Sequence, residues 1–311
     1  MTTDFDRYLA SMEIILKQNS ISFQKKEIQY GVQYSVISFA DKASIAVYNG
    51  KKGLKVVLTG KDSALKTQLE QLLNVTNDNS FQLSRHCLLA DCASFHGKWC
   101  GSDESGKGDF IGSLSVAAVF ADTLIAKKLV ALGVKDCKVL NDKNVLQLAA
   151  EIKQCTSYKV LSLTPKQYNF RYAQIKARGQ NLNNLLAFGH VAVLSDVLKQ
   201  CPTCNYVLVD RFAVNNEIGF LIRQSFPAVN VVQRPKAEED IAVAAASVLA
   251  RAEFLQIREL LQTELNMELP KGGGTQATEC AVQIAKLYGQ DRLSEYVKLH
   301  FANYQKVIAS L

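Results

Sequence analysis

Apolar positions over residues 4–18 recur at steps of three and four, with Phe5, Leu9, Met12, Ile15 and Leu16 on one stripe. This spacing predicts an amphipathic helix. Strand-like runs follow at 22–29 and 32–39, joined at Tyr30-Gly31, and at 44–48 and 54–59, joined through Asn49-Gly50-Lys51-Lys52-Gly53. Asn-Gly between such runs is a hairpin signal. Residues 62–73 return to helical spacing through Leu65, Leu69, Leu72 and Leu73. Helix, strands and helix in this order predict a small α+β domain over residues 1–75, its sheet covered on one face. Residues 76–96 turn polar and read as a linker.

From residue 97 to 311 strand-like and helical stretches alternate. Strands are expected at 115–120, 157–164, 205–212 and 229–233, and helices at 122–132, 141–155 and 181–199. A long helix follows Glu238-Glu239-Asp240, with Ile241, Ala245, Val248, Leu249, Ala252 and Leu255 as its buried stripe. The tail reads as two helices, 276–288 and 291–308; Tyr296, His300 and Tyr304 share one face of the second and read as packing. Such alternation argues for an α/β domain around a mixed or parallel sheet.

The length, 311 residues, suits one large or two ordinary domains. With 48% hydrophobic and 21% charged residues the composition is that of a globular protein, and no apolar run reaches bilayer-spanning length. The polar, acid-bearing start is no secretory signal. Eight cysteines without a framework fit a reducing, cytoplasmic setting. Cys201-Pro-Thr-Cys204 is a lone pair that reads as a turn, and His86, Cys87, Cys92 and His96 match no standard zinc spacing. A net charge of +7 leans towards an anionic partner such as nucleic acid. Lys25, Lys26, Lys42, Lys51, Lys52 and Lys55 lie in or beside the first strands, where they either contact phosphates or blunt sheet edges. No apolar stripe is left over once the core is filled, so a monomer is expected.

The chemistry concentrates in Cys100-Gly101-Ser102-Asp103-Glu104-Ser105-Gly106-Lys107-Gly108-Asp109-Phe110. Two adjacent carboxylates beside a Gly-X-Gly turn suggest a hard cation and a close-approaching phosphate; a charged surface turn is the plainer reading. Asp210 ends a strand, where open α/β sheets place their ligands. Glu238, Glu239 and Asp240 complement a helix dipole, and one of them can supply a further acid. Three or four carboxylates from separate element ends, without a nucleophile triad, point to two-metal phosphoryl transfer with Mg²⁺ or Mn²⁺.

These residues carry a resemblance. Gly101 to Asp109 is similar to the opening motif of the type 2 ribonucleases H, in the form typical of ribonuclease HIII. Asp136-Cys137-Lys138 resembles the family's Asp-Ser-Lys segment. Residues 179–190, the run from Lys236-Ala237-Glu238 through Arg251, and Leu269-Pro270-Lys271-Gly272-Gly273-Gly274 continue the likeness in order. The resemblance implies an RNase H-like catalytic domain preceded by a TATA-binding-protein-like domain, and cleavage of the RNA strand of RNA–DNA hybrids to 5′-phosphate and 3′-hydroxyl ends. By motif match it makes Asp103, Glu104 and Asp210 metal ligands. Gly106, Lys107 and Gly108 become readers of ribose 2′-hydroxyls, with Lys138 and Lys271 as further substrate contacts. Counting from Lys236-Ala237 favours Glu238 as the fourth acid, whereas the family's usual aspartate favours Asp240, which is taken here. Lys271-Gly272 is followed by Gly273 where ribonuclease HII carries a Tyr, so poor cutting at an isolated ribonucleotide in DNA is expected.

Overall fold

The computed structural model describes residues 4–38, 41–50, 53–61, 63–73, 82–92, 95–135, 137, 140–211 and 217–311. The chain forms two compact units, Met1–Phe81 and Gln82–Leu311.

In the first unit, α1 (Asp4–Gln18) precedes β1 (Phe23–Ile28), β2 (Gly31–Ser38), β3 (Asp41–Gly50) and β4 (Gly53–Gly60), and α2 (Ala64–Leu73) follows. The strands form one antiparallel sheet in sequential order. Alternate residues of the central strands, Val32, Tyr34 and Val36 with Ala43, Ile45 and Val47, are buried against Leu9, Met12 and Leu16 of α1 and Leu65 and Leu69 of α2. The pleat therefore turns Lys26, Lys42 and Lys55 to the uncovered face. Lys25 points the other way and pairs with Glu13 at 2.9 Å. Lys51 and Lys52 lie outside the described residues.

The second unit is built on a mixed sheet in the order β7-β6-β5-β8-β9. Its strands are β5 (Lys98–Ser105), β6 (Leu114–Asp122), β7 (Tyr158–Leu163), β8 (Tyr206–Asp210) and β9 (Asn230–Arg234). β6 runs antiparallel to both β5 and β7, while β5, β8 and β9 are mutually parallel. Connections and covers are α3 (Thr123–Ala131), α4 (Asp142–Cys155), α5 (Pro165–Ala177), α6 (Leu182–Gln200) and α7 (Glu217–Ser225). After the sheet come α8 (Ile241–Leu265), α9 (Thr275–Tyr288) and α10 (Ala302–Ala309).

On one face Val193, Leu194 and Val197 of α6 and Ile218 and Ile222 of α7 bury Cys100, Val116, Val207 and Val209. On the other lies α8, whose first ten residues are all buried. A Cβ at Gly101 would stand 2.3 Å from the Val243 nitrogen, so only glycine lets the start of α8 rest on β5. No helix among the described residues is long and apolar enough to cross a membrane.

Several expectations change. β5 includes Asp103 and Glu104, so the acids lie in the strand itself rather than in a turn before one. Residues 82–92 and 95–96, read as linker, belong to the second unit: the Leu88 N–H donates to Asp240, and the His86 carbonyl accepts from Ile241 N–H. α5 and α7 were not expected from the pattern. The 291–308 helix is broken into a 3-10 turn (Gln290–Glu295) and α10. Between them Ile111 bridges Val297 and Lys298 N–H donates to the Phe110 carbonyl, which holds that backbone extended.

Candidate active site

Side chains alternate across a strand. Trp99 and Gly101 meet the start of α8, whereas Cys100 and Ser102 meet the α6 side. By the same alternation Asp103 belongs to the α8 face and Glu104 to the α6 face. The parallel ladder pairs Cys100 with Val207, Gly101 with Leu208 and Ser102 with Val209. One step beyond the last pair of this ladder, Asp103 and Asp210 fall on the same face of neighbouring strands. Asp103 Oδ1 accepts the Glu104 N–H at 2.8 Å. Asp210 Oδ1 accepts the Ala237 N–H at 3.3 Å, which seats the 3-10 turn Ala237–Glu239 on Asp210 and puts Glu238 next in line.

Glu104 is held from two sides. Its Oε2 lies 3.1 Å from His190 Nε2, and its Oε1 lies 3.5 Å from Lys107 Nζ. His190, on α6, is fully buried, and its Nδ1 lies 2.7 Å from Ser102 Oγ, which donates to the Ala117 carbonyl at 2.8 Å. Burial pushes the Glu104 carboxyl up, but His190 and Lys107 outweigh it and hold the group below the usual carboxylate range. Nothing in the hydropathy pattern marked His190; only the likeness over residues 179–190 touched it.

The two glycines after the acids differ. Gly106 has φ +89°, and a Cβ there would stand 2.2 Å from the Ser113 carbonyl oxygen and 2.7 Å from the Phe254 ring, so the fold itself demands glycine. Gly108 has no positive φ, and a Cβ there would meet nothing within 4 Å. Its missing side chain leaves clearance in front of the turn. Behind the turn, the fully buried Lys298 donates from Nζ to the carbonyls of Gly106 (2.9 Å) and Asp109 (2.6 Å). Burial pushes its amine down to about 7, with Asp109 opposing the shift. Burial, then Lys298, lowers the nearby His300 to about 4. Asp109 Oδ1 accepts the Gly272 N–H at 2.7 Å, and Phe110 N–H donates to the Gly272 carbonyl at 3.0 Å, which ties the turn to the segment after Lys271.

Asp240 does not join the other acids. It is 0% exposed: Oδ1 accepts from Trp99 Nε1 and the Ala242 N–H, both at 2.9 Å, and Oδ2 from the Leu88 N–H at 3.0 Å. It is the N-cap of α8, fastened beneath β5. Burial raises its pKa despite these donors. A carboxylate wholly buried and spent on these donors is part of the fold's frame, which corrects the choice of Asp240; Glu238 follows Ala237, whose N–H Asp210 accepts, and is the remaining candidate. Lys271 Nζ lies 2.6 Å from Asp142 Oδ2 at the start of α4, and Arg251 lies 3.5 Å from the other oxygen. Lys138 lies outside the described residues.

Among the described residues no three His, Cys, Asp or Glu side chains are drawn tightly enough together to form a ready-made metal cage. The donors fit a hard cation nonetheless. Mg²⁺ is ordinarily held by one or two carboxylates together with water and substrate phosphate, and Asp103 and Asp210 offer such a pair.

Residues 100–304 match the family model of ribonuclease HII. The chain belongs to the ribonuclease HII family. It is thereby a ribonuclease H, an endonuclease of the hydrolase class. Among curated relatives, the ribonuclease HIII of Protochlamydia amoebophila is 38% identical over 211 residues, 68% of each chain. That of Chlamydia abortus is 35% identical over 212 residues, 68% of this chain and 69% of its own. Among solved structures, Bst-RNase HIII in complex with Mn²⁺ superposes with a TM-score of 0.63 over 96% of both chains at 26% identity. The ribonuclease HII of the Archaeoglobus fulgidus PCNA complex covers 65% of this chain and 94% of its own, with a TM-score of 0.53 and 26% identity. The motif likeness to ribonuclease HIII agrees with these matches.

Proposed function

We propose that this ribonuclease H cuts the RNA strand of RNA–DNA hybrids with a divalent cation, Mg²⁺ or Mn²⁺, leaving 5′-phosphate and 3′-hydroxyl ends. The observation that carries the reading is the β5–β8 register, which sets Asp103 beside Asp210 at the edge of an open glycine turn. Asp103, Glu104 and Asp210 hold the cations, with Glu238 as the fourth acid. Two such ions, when bound, activate water and stabilise the leaving oxygen. His190 and Lys107 orient Glu104 and keep it ionised. The Gly106-Lys107-Gly108 backbone approaches the ribose 2′-hydroxyl, the group that separates RNA from DNA. Lys271, seated on Asp142, and Lys138 add charge for phosphates. Lys26, Lys42 and Lys55 on the uncovered face of the first unit give sequence-blind phosphate contacts. The eight free cysteines support a reducing, cytoplasmic setting, and the protein acts as a monomer.

The test uses a labelled RNA–DNA hybrid and a DNA duplex carrying one ribonucleotide, each with Mg²⁺, Mn²⁺ or EDTA. Cutting of the hybrid with metal and its loss in EDTA are expected, with little cutting at the lone ribonucleotide because Gly273 stands where a Tyr would act. Folded protein that leaves the hybrid intact with both metals would overturn the reading. Asp103→Asn is expected to bind hybrid and not cut it.

A further inference from the structure

Lys298 breaks a rule of protein interiors. Lysine is almost never fully buried unless paired, and among the described residues no carboxylate forms an ion pair with it. Its amine meets two main-chain carbonyls and, at 5.6 Å, the ring of Tyr168, with Asp109 and His300 near enough to feel its charge. Holding an amine there costs a desolvation that an apolar side chain would not incur. Departures of this kind concentrate at functional positions, and the two carbonyls belong to the turn in front of which the Gly108 clearance opens.

The geometry closes the turn from behind. Asp109 N–H donates to the Gly106 carbonyl at 3.2 Å, and the Lys298 amine draws that oxygen and the Asp109 oxygen to one point. Lys298 is itself fixed at its backbone by the bond to Phe110. Carbonyls gathered on the inner side leave the outer side of the turn to Gly108, to which no group hydrogen-bonds among the described residues. A lysine amine carries at least two N–H groups in either protonation state, so the clamp does not depend on charge.

We infer that Lys298 is a positioning residue for ribose recognition: by clamping the carbonyls of Gly106 and Asp109 it presents the outer face of the turn to the RNA strand. This rests on the reading of the turn proposed above. Lys298 touches no reacting atom in this scheme; it acts through the turn.

The experiment compares binding of a fluorescent RNA–DNA hybrid with that of a DNA duplex of the same sequence, in EDTA to prevent cutting, for the unaltered protein, Lys298→Met and Lys298→Gln. Unaltered protein that does not prefer the hybrid would overturn the ribose reading of the turn itself. Given that preference, Lys298→Met is expected to lower the hybrid-to-DNA affinity ratio about fivefold or more. Lys298→Gln, which keeps two N–H donors, is expected to hold most of the ratio. A ratio unchanged within about twofold in a folded Lys298→Met variant overturns the role of Lys298 while leaving the turn reading intact. If neither variant folds, lysine-labelled NMR of the unaltered protein decides, with the Lys298 signal assigned through its contact to the Tyr168 ring. The signal is expected to shift with hybrid and not with DNA; equal response to both overturns the inference.

Discussion

Replacing Asp240 by Ala orphans the Trp99, Leu88 and Ala242 donors together, in an interior where each lost partner costs about 1–3 kcal/mol. The expected outcome is a loss of several kcal/mol in chemical denaturation, with kcat per folded molecule little changed. Glu238→Gln is expected to do the opposite, lowering kcat roughly 100-fold or more at unchanged stability. Equal kcat losses in both variants would return Asp240 to the site. Sequence could not separate these acids, because Asp240 is captured by Trp99, 141 residues away. Lys298 adds a pH signature. Its folded pKa, about 7, lies below the ordinary 10.5, so between these values the unfolded chain binds a proton that the folded chain lacks. Stability contributed by this residue therefore rises with pH through that window, by an amount on the order of a few kcal/mol. Denaturation midpoints of the unaltered protein, set against Lys298→Met from pH 6 to pH 10, read it directly. A flat difference would mean that the amine stays protonated.

At the scale of elements, the glycine turn and β5 are the informative pieces. Gly106→Ala places a Cβ against the Ser113 carbonyl at positive φ, and is expected to destabilise by about 2 kcal/mol or more. Gly108→Ala meets nothing and is expected to leave the melting temperature unchanged while weakening hybrid cleavage about tenfold. A parallel loss of stability in both would remove the argument for clearance. The first unit and the strands ending at Asp210 and Arg234 were legible because their apolar residues alternate or run together. β5 was not: Lys-Trp-Cys-Gly-Ser-Asp-Glu-Ser has almost no β-forming side chains, and it is a strand because β6 and β8 pair with it on both sides. Residues 291–308 were read as one helix because the period fits, whereas the backbone of residues 296–298 bonds to residues 110–112.

For the whole molecule, the proposed reading gives catalysis to the second unit and phosphate contacts to the first. A fragment of residues 82–311 is expected to keep kcat within about threefold and to raise KM for hybrid roughly tenfold, with a weaker salt dependence than the full chain. An unchanged KM would show that the lysine-bearing sheet makes no contact with substrate. The α/β class and the order of the units follow from pattern alone, while the meeting of Asp103 with Asp210 depends on a parallel pairing that only the assembled sheet reveals. Trp99 has a further use. It is the only tryptophan in the chain, and it lies buried against the cap of α8, in the second unit. Its fluorescence is therefore a built-in gauge of whether the catalytic unit is assembled and is blind to the first. If the units melt separately, tryptophan emission and far-ultraviolet circular dichroism will trace different unfolding curves, and the gap between them will measure how independent the two halves are.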